Sequence, residues 1–159
     1  GSGAIALALA TERPRWRITA VDRDPAALAV ATDNAQRLGL GRVRFLVSDW
    51  FAALDGERFD LVVANPPYLA ADDPHLAGPA LAHEPLQALV AGPTGLEDLA
   101  ALAATAPGHL ADGGWLLLEH GCEQAAAVRR MLTGAGFDAV ATRRDLAGLE
   151  RASGGRHAG

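Results

Sequence analysis

The chain has 159 residues, half of them hydrophobic and 21% charged, with a net charge of −5, the size and balance of one folded domain rather than of a disordered segment or two domains. An acidic chain without clustered positive charge is poorly suited to gripping a nucleic-acid backbone, and one cysteine, Cys122, excludes an internal disulfide framework. No apolar run reaches the roughly 18 residues of a membrane span and the start lacks the basic flank of a signal peptide, so a soluble protein of a reducing compartment is expected.

Short apolar runs alternate with longer stretches of helical period, the pattern of a parallel sheet covered by helices. After Gly1-Ser2-Gly3, the run Ala4 to Ala10 is too rich in alanine for a strand and suits a buried helix. Arg17 to Val21 reads as a strand that stops at Asp22. Asp24-Pro25 is an acidic N-cap followed by proline at the first helical position, and Leu28, Ala31, Ala35 and Leu38 then recur at helical steps until Gly39. Val43 to Val47 is the next strand, ending at Ser48-Asp49-Trp50, and Phe59 to Ala64 is a third, broken by Asn65-Pro66-Pro67-Tyr68. Prolines at 74, 79, 85 and 93 make Leu69 to Gly95 a long loop, and long loops in compact domains are usually functional. Leu96 to Ala106 is helical, Trp115 to Glu119 a strand, and Glu123 to Leu132 a helix that Gly134 helps to end. Phe137 to Thr142 is strand-like, and Arg151 onward, with Gly154-Gly155, reads as a short edge strand or a frayed tail. No repeat or linker appears, so residues 1–159 are read as one domain.

Ligands of open parallel sheets sit beyond the carboxyl ends of the strands. Three polar clusters fall there: Asp22, Asp49-Trp50 and Asn65 to Tyr68. Asp22, about twenty residues after the glycine loop, stands where a carboxylate accepts both ribose hydroxyls; an acid there is also an ordinary solvated turn residue. Trp50 is placed to stack on a purine, although an aromatic after a strand more often simply packs under a loop. Gly1-Ser2-Gly3 lets backbone approach a ligand closely, although such a triplet is also what a cloning remnant looks like. Its smooth run into an apolar helix favours a genuine loop, and the absence of a following lysine excludes a P-loop.

Asn-Pro-Pro-Tyr is more specific. Each proline restricts the residue before it to extended conformations and removes a backbone donor, leaving the Asn65 side-chain oxygen and the Pro66 carbonyl available as acceptors. Two acceptors on a stiff turn match a planar NH₂ group with two donors. A rigid turn with Tyr68 packed on the sheet is the plainer alternative. His75, His83, His109 and His120 show no metal-ligand spacing, Ser48-Asp49 lacks a nucleophile elbow, and Cys122 suits a small packed side chain. No metal site is expected.

The stretches GSGAIALALA, AVDRDPAALAVATDNAQRLGL, SDWF, FDLVVANPPY, HEPLQALVAGPTGLEDLA, GGWLLLEHGCEQ and DLAGLER together resemble the catalytic domain of the release factor glutamine methyltransferases (PrmC/HemK), over nearly the whole chain. The resemblance implies a seven-stranded Rossmann-like α/β fold that binds S-adenosylmethionine. It also implies N5-methylation of the glutamine side chain in the Gly-Gly-Gln motif of peptide chain release factors, in the cytoplasm, by a monomer. Carried over by motif, Gly1, Ser2 and Gly3 end the methionine-binding loop, Asp22 holds the ribose, and Asp49 and Trp50 lie by the adenine. Asn65, Pro66, Pro67 and Tyr68 hold the substrate glutamine, with Asn65 and Pro66 as its acceptors and Asn65 also beside the cofactor.

The resemblance departs at the amino end, where the family has a first strand, roughly Asp-Leu-Gly-Thr, and before it a small helical domain. A sheet without that strand leaves backbone groups unpaired on two neighbours, so an interruption between the strands near Val21 and Val62, or poor folding of the isolated chain, is expected. Other readings stay open. A ribosomal-protein glutamine methyltransferase is the nearest, although the Glu119-His120-Gly121 and Asp145 to Gly148 stretches look more like the release-factor branch. An adenine-N6 nucleic-acid methyltransferase would use the same turn but conflicts with the acidic charge. A non-enzymatic nucleotide-binding domain leaves the turn unexplained.

Overall fold

The computed structural model describes residues 1–78 and 85–159; Pro79 and His83 lie outside them. The chain forms two compact units, residues 1–57 and 58–159. In the first, helix α1 (Ala4–Glu12), strand β1 (Thr19–Asp22), helix α2 (Pro25–Arg37) and strand β2 (Arg44–Val47) follow one another. The strands run parallel, Thr19 opposite Arg44 and Asp22 opposite Val47. Leu7 and Ala10 of α1 meet Ala35 of α2, with Leu40 and Val43, in one core against which Ile18, Ala20 and Phe45 pack.

The α2 start is local chemistry: the Asp24 side chain accepts the Ala26 N–H at 2.8 Å and Pro25 occupies the first helical turn, where its missing donor costs nothing. The chain leaves the helix through Gly39, in the left-handed region at φ 67. Two expectations need correcting. Leu38 is the C-cap rather than a core position and is 61% exposed, because the helix has already ended when its side chain is placed. Of α1, only Leu7 and Ala10 are buried while Ile5 is 41% exposed, so this helix buries a stripe rather than its whole surface.

The second unit holds β3 (Phe59–Ala64), α3 (Glu97–Thr105), β4 (Leu110–Glu119), α4 (Ala125–Gly134), β5 (Phe137–Arg144) and β6 (Glu150–His157). The sheet order is β3-β4-β6-β5. β3 and β4 are parallel, but β6 is antiparallel to both neighbours, so the sheet is mixed rather than parallel throughout. β6 is neither a short edge strand nor a frayed tail: it spans eight residues and pairs on both sides. Glycine makes this possible, since a Cβ on Gly154 would lie 2.7 Å from the Leu116 carbonyl and one on Gly155 2.8 Å from the Phe137 Cβ. β4 is also longer than expected, reaching back to Leu110 through Gly113 at φ 77.

α4 packs on β5 and β6, and α3 on α4. Leu99, Leu110, Leu116, Val128 and Leu132 are all fully buried. Truncating one such leucine to alanine costs about 2–5 kcal/mol, depending on how far the site collapses. Among the described residues, β1 pairs only with β2, and β3 only with β4.

Candidate functional site

β1 and β2 end opposite each other, so the loops after them leave one carboxyl edge. The ladder continues one step, the Ser48 N–H donating to the Asp22 carbonyl at 3.0 Å. The Asp22 carboxylate accepts the Asp24 N–H at 2.8 Å through Oδ1, while Oδ2 contacts the Gly1 nitrogen. The glycine loop thus lies against the acid. Gly3 caps α1 at φ 81, and a Cβ there would sit 3.0 Å from the Ala31 Cβ, so the loop is tight enough to require glycine. Asn34 of α2 donates from Nδ2 to the Ser2 carbonyl at 3.1 Å, fixing the middle of the loop.

Asp49 is exposed and Trp50 half-buried. Trp50 lies in the left-handed region at φ 47, uncommon for a bulky side chain and maintained only when neighbours over-determine it. Ser48 supplies that constraint: its buried hydroxyl donates to the Trp50 carbonyl at 2.9 Å and accepts the Ala53 N–H at 3.0 Å. The first unit therefore gathers Gly1 to Gly3, Asp22, Asp49 and Trp50 at one strand edge. Sequence reasoning passed over Asn34 and Ser48. The available signals were an asparagine inside a helix, where its propensity is poor, and a hydroxyl directly after an apolar strand.

In the second unit, Ala64 closes the pairing of β3 with β4 opposite Leu118, and Asn65 is the first residue beyond it. Asn65 is exposed, Pro67 and Tyr68 are half-buried, and Pro66 is among the fully buried residues. Of the two residues expected to supply acceptors, Asn65 is open to solvent and the Pro66 side chain is enclosed. Leu69 to Ala71 then run beside the segment before Gly92: the Leu69 N–H donates to the Leu89 carbonyl at 2.9 Å and the Ala91 N–H to the Leu69 carbonyl at 3.0 Å. The two ends of the long connection are thus tied to each other, and among its described residues 3-10 turns occur at Pro74–Ala77 and Leu86–Ala88.

Behind the turn, Gln124 donates from Nε2 to the Tyr68 carbonyl at 2.9 Å and to the Gly95 carbonyl at 3.1 Å, and accepts the Gly121 N–H at 2.8 Å. Arg151 pairs through its backbone with His120, whose N–H donates to the Arg151 carbonyl at 2.9 Å, and its side chain reaches the Asp145 carboxylate at 3.3 Å. Burial works against the Arg151 charge, but Asp145, reinforced by Tyr68 and Cys122, holds the guanidinium above its ordinary pKa. The Leu149 N–H, with Arg151 and the Ala147 N–H, in turn holds the Asp145 carboxyl below its usual range despite desolvation.

His120 is completely buried and begins a file of hydrogen bonds. Its Nδ1 lies 2.9 Å from the Gly121 carbonyl and its Nε2 2.8 Å from the Ser153 hydroxyl. Ser153 lies 2.7 Å from the Thr142 hydroxyl, which receives Arg129 Nη1 at 2.7 Å. A carbonyl only accepts and a guanidinium only donates, so with a neutral imidazole every proton in the file has one direction: Arg129 to Thr142 to Ser153 to Nε2, with Nδ1–H on Gly121. Among the described residues, no group of three or more His, Cys, Asp or Glu is arranged to hold a metal.

Residues 1–92 match the methyltransferase small domain family. The release factor glutamine methyltransferase of Xylella fastidiosa (strain Temecula1) is 54% identical over 98% of this chain and 57% of its own length. That of Pseudomonas aeruginosa is 56% identical over 90% of this chain and 52% of its own length. The chain thus spans little more than half the length of these relatives. A methyltransferase from Pyrococcus furiosus, 20% identical, superimposes with a TM-score of 0.69 over 98% of this chain and 70% of its own. The fold is the Rossmann-like one of the S-adenosylmethionine-dependent methyltransferases. With a glycine loop beside a strand-end acid and an Asn-Pro-Pro-Tyr turn after β3, the chain belongs to the methyltransferase small domain family.

Proposed function

We propose that residues 1–159 are the catalytic domain of an enzyme that transfers a methyl group from S-adenosylmethionine to the side-chain nitrogen of glutamine in the Gly-Gly-Gln motif of peptide chain release factors. It acts as a monomer in the cytoplasm, where translation terminates. The carrying observation is the Asn65 turn, with an exposed carboxamide on a segment fixed from behind by Gln124. Relatives near half identity carry the same activity in their names.

The residues at the β1–β2 edge fit the cofactor. Gly3, at φ 81 with Ala31 of α2 3.0 Å from where a Cβ would stand, keeps the loop free of side chain at its end, as a loop that must lie close to a ligand requires. Asp22 keeps its carboxylate in place through Asp24 and receives the ribose hydroxyls. Asp49 and the half-buried Trp50 face the adenine. When bound, S-adenosylmethionine supplies an electrophilic sulfonium methyl.

An amide nitrogen is a weak nucleophile because its lone pair is delocalised into the carbonyl. Asn65 Oδ1 and the Pro66 carbonyl accept its two N–H bonds, with Pro67 and Tyr68 beside them, so the nitrogen is held in one orientation. Such positioning and preorganised electrostatics carry the rate. The turn contains no carboxylate or imidazole, so the displaced proton passes to water.

The test offers the intact enzyme labelled cofactor with a release factor, with ribosomal proteins and with duplex DNA. Label in the glutamine of Gly-Gly-Gln and none in DNA is expected, since the chain is acidic. Label in adenine, with the steep salt dependence of phosphate contacts, overturns the assignment; label confined to ribosomal proteins moves the substrate.

A further inference from the structure

The Asn65 to Tyr68 turn ends a strand, and a strand end has no ladder to hold it. Its backbone is nevertheless anchored at the last residue, and from an unexpected distance: Gln124 lies 56 positions away in the sequence. The Gln124 carboxamide has two donors and one carbonyl oxygen, and all are used. Both donors converge on Tyr68 and Gly95, and the oxygen receives the Gly121 N–H. One side chain therefore joins the turn after β3, the residue before the α3 N-cap and the turn after β4.

Gly95 reports independently how close this joint is. It sits at φ 73, and a Cβ there would lie 2.6 Å from the Tyr68 carbonyl oxygen and 2.9 Å from the Ala70 nitrogen. No side chain separates the turn from the segment behind it. A carbonyl held at its distal end by a charge-neutral donor and pressed against glycine backbone has little freedom to rotate, and Asn65, three residues upstream across two prolines, inherits that orientation.

We infer that Gln124 is a positioning residue for amide methylation, setting the direction in which Asn65 and Pro66 present their acceptors; this rests on the substrate reading above. Replacement changes how often a bound substrate amide is correctly aimed, not whether cofactor binds. Gln124→Glu keeps an acceptor for Gly121 but turns an oxygen on two carbonyls, and Gln124→Met keeps the volume and loses all three bonds.

The experiment uses the intact enzyme. Cofactor sites are counted by equilibrium binding and the rate of glutamine methylation is expressed per occupied site, for wild type, Gln124→Met and Gln124→Glu. Both variants should keep one cofactor site per chain with Kd within about twofold, while kcat per site falls about 10- to 100-fold, a positioning loss smaller than that of removing an acceptor outright. A merely structural role lowers the number of sites and leaves kcat per site unchanged, which overturns the inference, as does a loss confined to the KM for the release factor. If wild type transfers nothing to glutamine, the substrate reading fails and the inference with it. Should Gln124→Glu not fold, the Gln124→Met result decides alone.

Discussion

The two polar edges are built on opposite plans. At the β1–β2 edge the turns after the strands are held at short range, Asp22 by the N–H two residues on and Ser48 by groups two and five residues on, while the glycine loop is held from a distance by Asn34. At the β3 edge the turn contains little that fixes it beyond its prolines, and its anchors are Gln124 and Gly95. The edge proposed for the cofactor is thus assembled largely from self-contained turns. The turn proposed to aim the substrate is held by elements far along the chain, so on that reading its geometry is adjustable without touching the residues that make contact.

Exchanging the damage between the two edges breaks or sharpens this contrast. The largest effect is expected from Asn65→Ala: removal of one preorganised acceptor costs about 100- to 1000-fold in kcat with cofactor affinity largely intact. Steady-state kinetics beside calorimetry check it, and an equal loss in cofactor binding erases the distinction. Asp22→Ala should do the reverse, weakening cofactor binding by about 1.5–3 kcal/mol, the range for hydrogen bonds to a charged group. Unchanged calorimetric affinity removes Asp22 from the site. Smallest is Ser48→Ala, which frees the left-handed Trp50 and should lower stability by about 1–2 kcal/mol and cofactor affinity by less than Asp22→Ala does. A thermal melt and the same titration measure it, and an affinity loss exceeding that of Asp22→Ala makes the loop, not the acid, the principal cofactor contact.

The same contrast explains what was legible beforehand. Asp24-Pro25 announces a helix start because a cap and the N–H that donates to it are neighbours, and Asn-Pro-Pro-Tyr announces a stiff turn because proline acts on adjacent residues. Gln124 was invisible as an anchor because nothing local to α4 specifies a partner in the Tyr68 carbonyl. β6 failed for a related reason. Glu150 to His157 has no β-branched residue, and its glycines suggest a loose tail when read alone. Against Leu116 and Phe137 they are what lets the strand lie between two neighbours, and Ser153 is polar because a buried imidazole requires it.

The file from Arg129 through Thr142 and Ser153 to His120 has a consequence for how this sequence can change over generations. Since each hydroxyl passes its proton in one direction, no member can be exchanged alone without leaving a neighbour short of a partner, at about 1–3 kcal/mol for a buried group. Replacing the set together by apolar groups of matching shape is far less damaging. The positions 120, 142 and 153, on three different strands or strand ends, are therefore coupled: the change that costs least at one depends on what stands at the other two.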